Sequence, residues 1–414
     1  MNQKPLALAI AAVLAAPFAV QAGDVTIASN TTLSISGLLA AGVKNVQVTD
    51  SVRGVKSETR LDDNTSRITF SGRTDLGSGN YAIFRVESRL TSDVRPGTCA
   101  VPVTGALLAV YPNGCAAPVS GASGLADGDS FVGFTGPWGT ATFGKSSMYV
   151  VDTFGIPALG LNSSGEHYRV WDVQAISTFN ILDNVWNGAA NAATLGITRS
   201  QNVLRYDSPN MSGFVGSIGW SKNPNGDENR ITNATAAAPD YEAHGTVWAR
   251  LNYNAGPPTA TASMLDQELQ GGIGVSANKK AYRLGLGYEM SGFKFGAVYD
   301  NTTVENGVAA GLDAKRGAWM IPVSYKWDAN QAYFTYTKAG NTSNVAGDSG
   351  AKQMVLGYDR ELAKNVFVGA FYTKLTNDTN GGYKGFLTDT SFGGTGNLRG
   401  EGFRQLSLNV NYYF

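Results

Sequence analysis

In the closing stretch, Gly402 to Phe414, apolar and polar residues alternate. Leu406, Leu408, Val410, Tyr412 and Phe414 fall on one face of an extended chain, and Gln405, Ser407, Asn409 and Asn411 on the other. In a soluble sheet such an apolar face looks onto a core. In a membrane barrel it meets lipid, and the polar face lines a wet lumen. The free hydrogen-bonding edge of this last strand is expected to be taken up by the first, which closes a barrel and removes the edge.

The same two-faced pattern recurs along the chain. The first strand, from Thr32, carries Leu33, Ile35, Leu39, Ala41 and Val43 on one face, with Ser34 and Ser36 on the other. The stretch SRITFSGR sends Ile68 and Phe70 outward and Arg67, Thr69, Ser71 and Arg73 inward; YAIFRVESRL sends Ala82, Phe84 and Val86 outward and Arg85, Glu87 and Arg89 inward. Between them, Asp75 to Asn80 is a Gly/Asp/Asn turn. Strands DSFVGFT and TATFGK follow, hinged on Gly136 to Gly139, and Ser200 to Ser221 reads as a hairpin. Nine more centre on Val247–Tyr253, Thr259–Met264, Tyr282–Met290, Phe293–Asp300, Trp319–Trp327, Gln331–Lys338, Gln353–Leu362, Val366–Leu375 and the closing stretch. The pattern predicts sixteen strands, joined alternately by short links and long loops, which is the signature of an all-β, antiparallel transmembrane β-barrel. A multidomain soluble β-protein would need linkers and continuous apolar core strands, and the sequence offers neither.

Composition sharpens this picture. Met1 to Ala22 has one cation at Lys4, an apolar run from Leu6 to Val20 broken by Pro17, and small residues before Gly23, so residues 1–22 are expected to be a secretory signal peptide and 23–414 a single barrel domain. Charged residues make up 15%, below the roughly 25% of an average soluble domain. Mean hydropathy is slightly negative and no later stretch is long and apolar enough for a spanning helix, so any membrane crossing is by strands. Formal net charge is zero, and no nucleic-acid partner is expected. Cys99 and Cys115, in a Pro/Gly/Ala-rich second loop of an exported chain, are expected to form a disulfide.

Four pieces together carry a family resemblance: SRITFSGRTDLGSGNYAIFRVES, DSFVGFTGPWGTATFGK, VLRYDSPNMSGF and the strand ending in Phe414. In this order, behind a signal peptide, they resemble the sixteen-stranded trimeric porins of Gram-negative outer membranes over the whole mature chain. The resemblance implies an outer-membrane homotrimer in contact with lipid, passing ions and small hydrophilic solutes. It also implies Phe414 as the C-terminal assembly signal, and a third loop, from Ser146, folded into the lumen opposite basic wall residues. Arg67 and Arg199 fall where the family places wall arginines. Two departures stand out: Gly128 replaces an arginine common in the family, and the third loop, with Asp152 and Glu166 among mostly apolar residues, is poor in carboxylates.

The candidate constriction therefore comprises Arg67, Arg85, Arg89, Arg199 and Arg205, with Asp152 and Glu166 opposite. A ring of fixed positive charge in a narrow pore concentrates anions; the bland alternative is lumen solvation, with Glu87 and neighbouring carboxylates neutralising the arginines. Catalysis needs a nucleophile and base together, and the sequence has only two histidines, His167 and His244, with no nucleophile elbow, metal-spaced cluster or phosphate loop. No enzyme, metal or cofactor is expected. Three readings stand: a general diffusion porin with an anion preference, a substrate-specific channel for small organic or aromatic anions, and a structural or adhesive surface barrel.

Overall fold

The computed structural model describes residues 24–28, 30–50, 57–62, 66–90, 99–102, 115–118, 126, 128–149, 181–182, 184–186, 188, 193–194, 199–222, 245–269, 277–383 and 399–414. Sixteen of its strands form a closed antiparallel barrel. They are β1 (Thr31–Thr49), β2 (Arg67–Gly77), β3 (Asn80–Arg89), β4 (Ser130–Gly136), β5 (Gly139–Ser147), β6 (Arg199–Asp207), β7 (Phe214–Ser221) and β8 (Thr246–Asn254). The second half holds β9 (Pro258–Leu269), β10 (Ala277–Met290), β11 (Phe293–Ala309), β12 (Leu312–Trp327), β13 (Asn330–Ala339), β14 (Ala351–Ala363), β15 (Val366–Asn377) and β16 (Gly402–Tyr413).

Closure rests on β1, whose nineteen residues serve two edges. One edge pairs with β16, from Leu38 opposite Tyr413 to Thr49 opposite Gly402. The short strand Asp24–Ala28 continues that edge, pairing with Thr31 to Ser34. The other edge takes β2, from Thr31 opposite Thr74 to Leu38 opposite Arg67, and beyond it the short strand Ser57–Asp62. With every hydrogen-bonding row taken, lipid meets only side chains.

The alternation read in the sequence is the alternation of faces. Along β10, Tyr282, Leu284, Leu286 and Tyr288 are exposed while Ala281 and Arg283 are buried. The six residue steps from Tyr282 to Tyr288 span about 20 Å of strand, close to the height of an outer-membrane apolar band once its flanks are added. Aromatic rings cluster at the short-turn end, where Phe293 lies 4.1 Å from Tyr325 and Tyr325 5.5 Å from Trp327. A second band includes Trp319 and Tyr336, 5.2 Å apart. The outward strand residues of β1–β5 include Leu39, Gly72, Ala82, Val132, Ala141 and Phe143 but no Tyr or Trp, while Trp138 in the β4–β5 turn stacks on Tyr206 at 6.4 Å.

The short links use residues that tolerate positive φ. Between β10 and β11 the two-residue link has Ser291 at 50° and Gly292 at 84°, the handedness that matches strand twist in tight hairpins. A Cβ on Gly292 would stand 2.5 Å from the Lys326 carbonyl, so glycine is required there twice over.

Several strands run beyond their expected bounds at the long-loop end. The sequence predicts a loop between Asp300 and Trp319; the structure instead continues β11 to Ala309 and starts β12 at Leu312, around a turn at Ala310 and Gly311. The reason is physical. Lipid-facing positions must be apolar, so alternation marks the membrane segment, but the ladder persists above it through outward Asn301, Thr303 and Lys315. In the second loop, Cys99–Pro102 pairs with Cys115–Pro118, with Cys99 opposite Pro118 and Cys115 opposite Pro102. The two cysteines thus lie on paired strands but not directly opposite each other.

Candidate functional site

Among the described residues, three charge clusters stand out on the inner face. The first gathers on Glu87 of β3. Strand parity turns Arg67, Arg85, Glu87 and Arg89 to the same side, and the β2–β3 register sets Arg67 opposite Arg89. Glu87 lies 2.9 Å from Arg89, 3.4 Å from Arg85 and 3.7 Å from Arg67. The expected mutual neutralisation is therefore present, but three guanidinium groups share one carboxylate. Arg85 and Arg89 keep 19% and 20% of their side-chain surface exposed, against 6% for Arg67. Gly128 has a reason here: its N–H donates to the Glu87 carbonyl at 2.9 Å, and a Cβ would meet the Glu87 side chain at 2.4 Å. An arginine at 128 is incompatible with Glu87 as placed.

The second cluster spans β6 to β8. Arg205 donates to both carboxylate oxygens of Asp207, at 2.7 and 2.8 Å, and to the Ser147 carbonyl at 3.0 Å. Arg250 approaches Asp207 to 3.9 Å and donates to Ser217 Oγ at 3.2 Å. The two guanidinium groups flank the buried Trp248 ring at 5.2 and 5.3 Å.

The third cluster is fully buried on β10–β12. Arg283 donates through Nε and Nη2 to Asp300 Oδ2, each at 3.1 Å, and Arg316 reaches Asp300 Oδ1 at 3.3 Å. Thr302 donates to Asp300 Oδ1 at 2.7 Å. This cluster holds the described ends of the segment between β5 and β6. The Tyr149 hydroxyl donates to Asp300 at 2.6 Å, Arg283 donates to the Tyr149 carbonyl at 3.2 Å, and Arg316 donates to the carbonyls of Ile181 and Leu182, both at 2.9 Å. Ile181, Leu182 and Trp186 pack with inward Val46, Val298, Met320 and Phe403 in one apolar cluster.

Arg199 and Arg205 are read from the sequence as sharing the inward parity of one strand. A bulge between Ser200 and Val203, with Asn202 at φ 53°, inserts an extra residue on β6. Across that bulge Arg205 stands opposite Thr142 and Arg199 opposite Ser147. Gln201, expected inward with Arg199, lies in the bulge. The Arg199 side chain, Asp152, Glu166, His167 and His244 lie outside the described residues.

The sequence reading missed Arg250, Arg283, Asp300 and Arg316. The signal was present: Arg283 sits between Tyr282 and Leu284, whose outward parity turns it inward. Phe414 is where closure needs it, exchanging backbone hydrogen bonds with Gly37 at 2.9 and 3.2 Å.

Comparison with known proteins agrees with this geometry. The family model for Gram-negative porin matches residues 7–380. The chain is 22% identical over 355 residues to the major outer membrane protein P.IB of Neisseria lactamica, covering 82% of this chain and 86% of that protein. Among solved structures, an anion-selective porin from Comamonas acidovorans superposes with a TM-score of 0.66 at 18% identity, covering 93% of this chain and all of that one. The trimer form of in-vitro folded OmpT of Vibrio cholerae gives 0.60 at 13% identity, with 93% and 100% covered.

Proposed function

The chain belongs to the Gram-negative porin family, so it is an outer-membrane channel for small solutes rather than an enzyme, and from that premise we propose a homotrimeric diffusion pore with a mild anion preference. The observation that carries the preference is that guanidinium groups on the inner wall stay open to water: Arg85, Arg89 and Arg205 keep 19%, 20% and 18% of their side-chain surface exposed. Fixed positive charge in a narrow, weakly screened passage raises the local anion concentration. The anion-selective porin from Comamonas acidovorans, similar in fold, supports the same sign.

The narrowest point, in this reading, lies where the segment from Ser146 to Ile197 crosses the lumen toward the exposed edges of Arg85, Arg89 and Arg205. Its described ends tied to Asp300, Arg283 and Arg316 support that course. Asp152 and Glu166 then supply the opposing charge.

Trimerisation is supported by the outer wall. An apolar groove of about 440 Å³ runs across β2–β6, floored by Ala82, Gly133 and Ala141 and rimmed by Phe84, Phe134 and Phe143. Apart from its β6 edge, it lies where the outward strand residues include no Tyr or Trp, the residues that mark lipid-water boundaries, as expected of a wall covered by protein. OmpT of Vibrio cholerae, similar in fold, has a trimer form. In the same reading residues 1–22 are removed on export. Planar-bilayer conductance with reversal potentials in a salt gradient tests the proposal: ohmic channels carrying more anion than cation are expected, and a cation-favouring reversal potential would overturn the preference.

A further inference from the structure

We propose that the inner wall of β1–β4, between the Glu87 cluster and the short β2–β3 turn, holds a binding site for small aryl carboxylates. The inference rests on the channel reading and names a solute class for it. A cavity of about 630 Å³ opens there, lined by Ser71, Arg73, Tyr81, Ile83, Arg85 and Phe131 among others. That size is within the range of small-molecule sites. Register explains the mixed lining: Arg73 stands opposite Ile83, Ser71 opposite Arg85, and Arg85 opposite Phe131, so cationic and apolar side chains alternate across three strands.

Each part has a role that a smooth pore wall does not require. Arg73 lies flat on the Tyr81 ring, its guanidinium carbon 3.3 Å from the ring centre. Stacking holds that group in one orientation with its N–H edge available, and the planar fork matches a carboxylate. No carboxylate pairs with Arg73 among the described residues, although Asp75 also lines the cavity and accepts the Gly77 N–H at 2.7 Å. Arg85 is tied to Glu87 through Nη2, while its buried Nε makes no hydrogen bond. Ser71 adds a hydroxyl. Ile83 and Phe131 offer apolar contact that a hydrated inorganic anion does not use and an aromatic ring does. An aryl carboxylate satisfies both halves of the site; acetate satisfies one, and benzyl alcohol the other.

Titration calorimetry on the detergent-solubilised full-length protein, with benzoate, acetate and benzyl alcohol as probes, tests the site independently of conduction. Benzoate is expected to bind once per chain, at least tenfold more tightly than either fragment. Arg73→Gln is expected to weaken benzoate at least tenfold, and Phe131→Ala to weaken benzoate while leaving acetate unchanged. Retention of the heat-modifiable gel mobility of the folded barrel identifies variants that are competent to report. Equal binding of benzoate and acetate, or an unchanged benzoate affinity in folded Arg73→Gln, would overturn the site. Absence of channels in bilayers would instead overturn the porin reading while the calorimetric result stood.

Discussion

The ring of Phe414 lies against Gly37, where a Cβ would stand 2.4 Å from the ring carbon Cζ and 2.6 Å from the Arg67 carbonyl. The two residues also exchange backbone hydrogen bonds, so the seam between β1 and β16 is fastened by backbone and packed by one ring. A side chain at 37 overpacks this seam, a change that costs about 1–3 kcal/mol. Gly37→Val is expected to lower the temperature at which gel mobility shifts to the unfolded form. Because the Arg67 carbonyl is equally close, adding Phe414→Ala should restore only part of the loss. A variant as heat-resistant as the parent would mean that the seam yields freely.

Much of this fold was legible because a barrel in lipid writes its two faces directly into the sequence. Sixteen strands follow from the alternation of residues such as Leu406 and Leu408 with Ser407. The tops of β11 and β12 were not legible, because outward residues such as Thr303 and Lys315 meet water and carry no apolar mark. The inward set was legible wherever parity was unbroken, as for Arg85 and Arg89. The backbone bulge between Ser200 and Val203 was not legible, since nothing in QNVLRY announces it. The Asp300 cluster was legible residue by residue but not as a cluster: its partners Tyr149 and Arg283 are 134 positions apart in the chain.

Asp300 is the common acceptor of Arg283, Arg316, Tyr149 and Thr302, all buried. Removing one partner of a buried ion pair costs about 3–5 kcal/mol, because the other charge stays buried. Asp300→Ala is expected to reduce heat resistance by that order and, as Tyr149 and Leu182 lose their anchors, to broaden single-channel conductance. Asp300→Asn, which keeps the shape, should do less. Unchanged conductance and unfolding temperature in Asp300→Ala would show that the segment is held elsewhere.

Cys99 and Cys115 lie on paired short strands, offset along the ladder. In the exported protein they are expected to be bridged, a link that contributes about 3 kcal/mol to a loop of this size in the chain-entropy model. A bridge needs the Cα atoms within about 7 Å. Alkylation of unreduced protein followed by mass measurement decides the matter, and two labelled thiols would refute the bond.

The apolar groove at Ala82 and Ala141 is read as covered by a neighbouring subunit. Ala141→Trp fills it and is expected to yield monomers in mild detergent crosslinking. Ala297→Trp, outward on β11 within the aromatic-banded sector, should leave the trimer intact because a ring there meets only lipid. Trimers of equal yield from both variants would place the interface on another face.

Selectivity is assigned to the guanidinium groups that water reaches. Arg67 is almost covered, and its loss leaves Glu87 still paired with Arg85 and Arg89, so its substitution should act more on stability than on ions. Arg85 and Arg89 present their exposed edges to the lumen, where charge acts at short range. Lys56, outside the described residues, is read from the sequence as a mouth charge, and mouth charges are screened beyond about 8 Å in physiological salt. The double variant Arg85→Ser with Arg89→Ser is expected to lower the anion-to-cation permeability ratio by about twofold or more, moving the reversal potential toward cations. Lys56→Ala should scarcely move it. Glu87 is kept while two positive charges are removed, so the sign of the change is fixed before the measurement. A double variant with the parental reversal potential would reduce these arginines to wall solvation and leave the anion preference without a source.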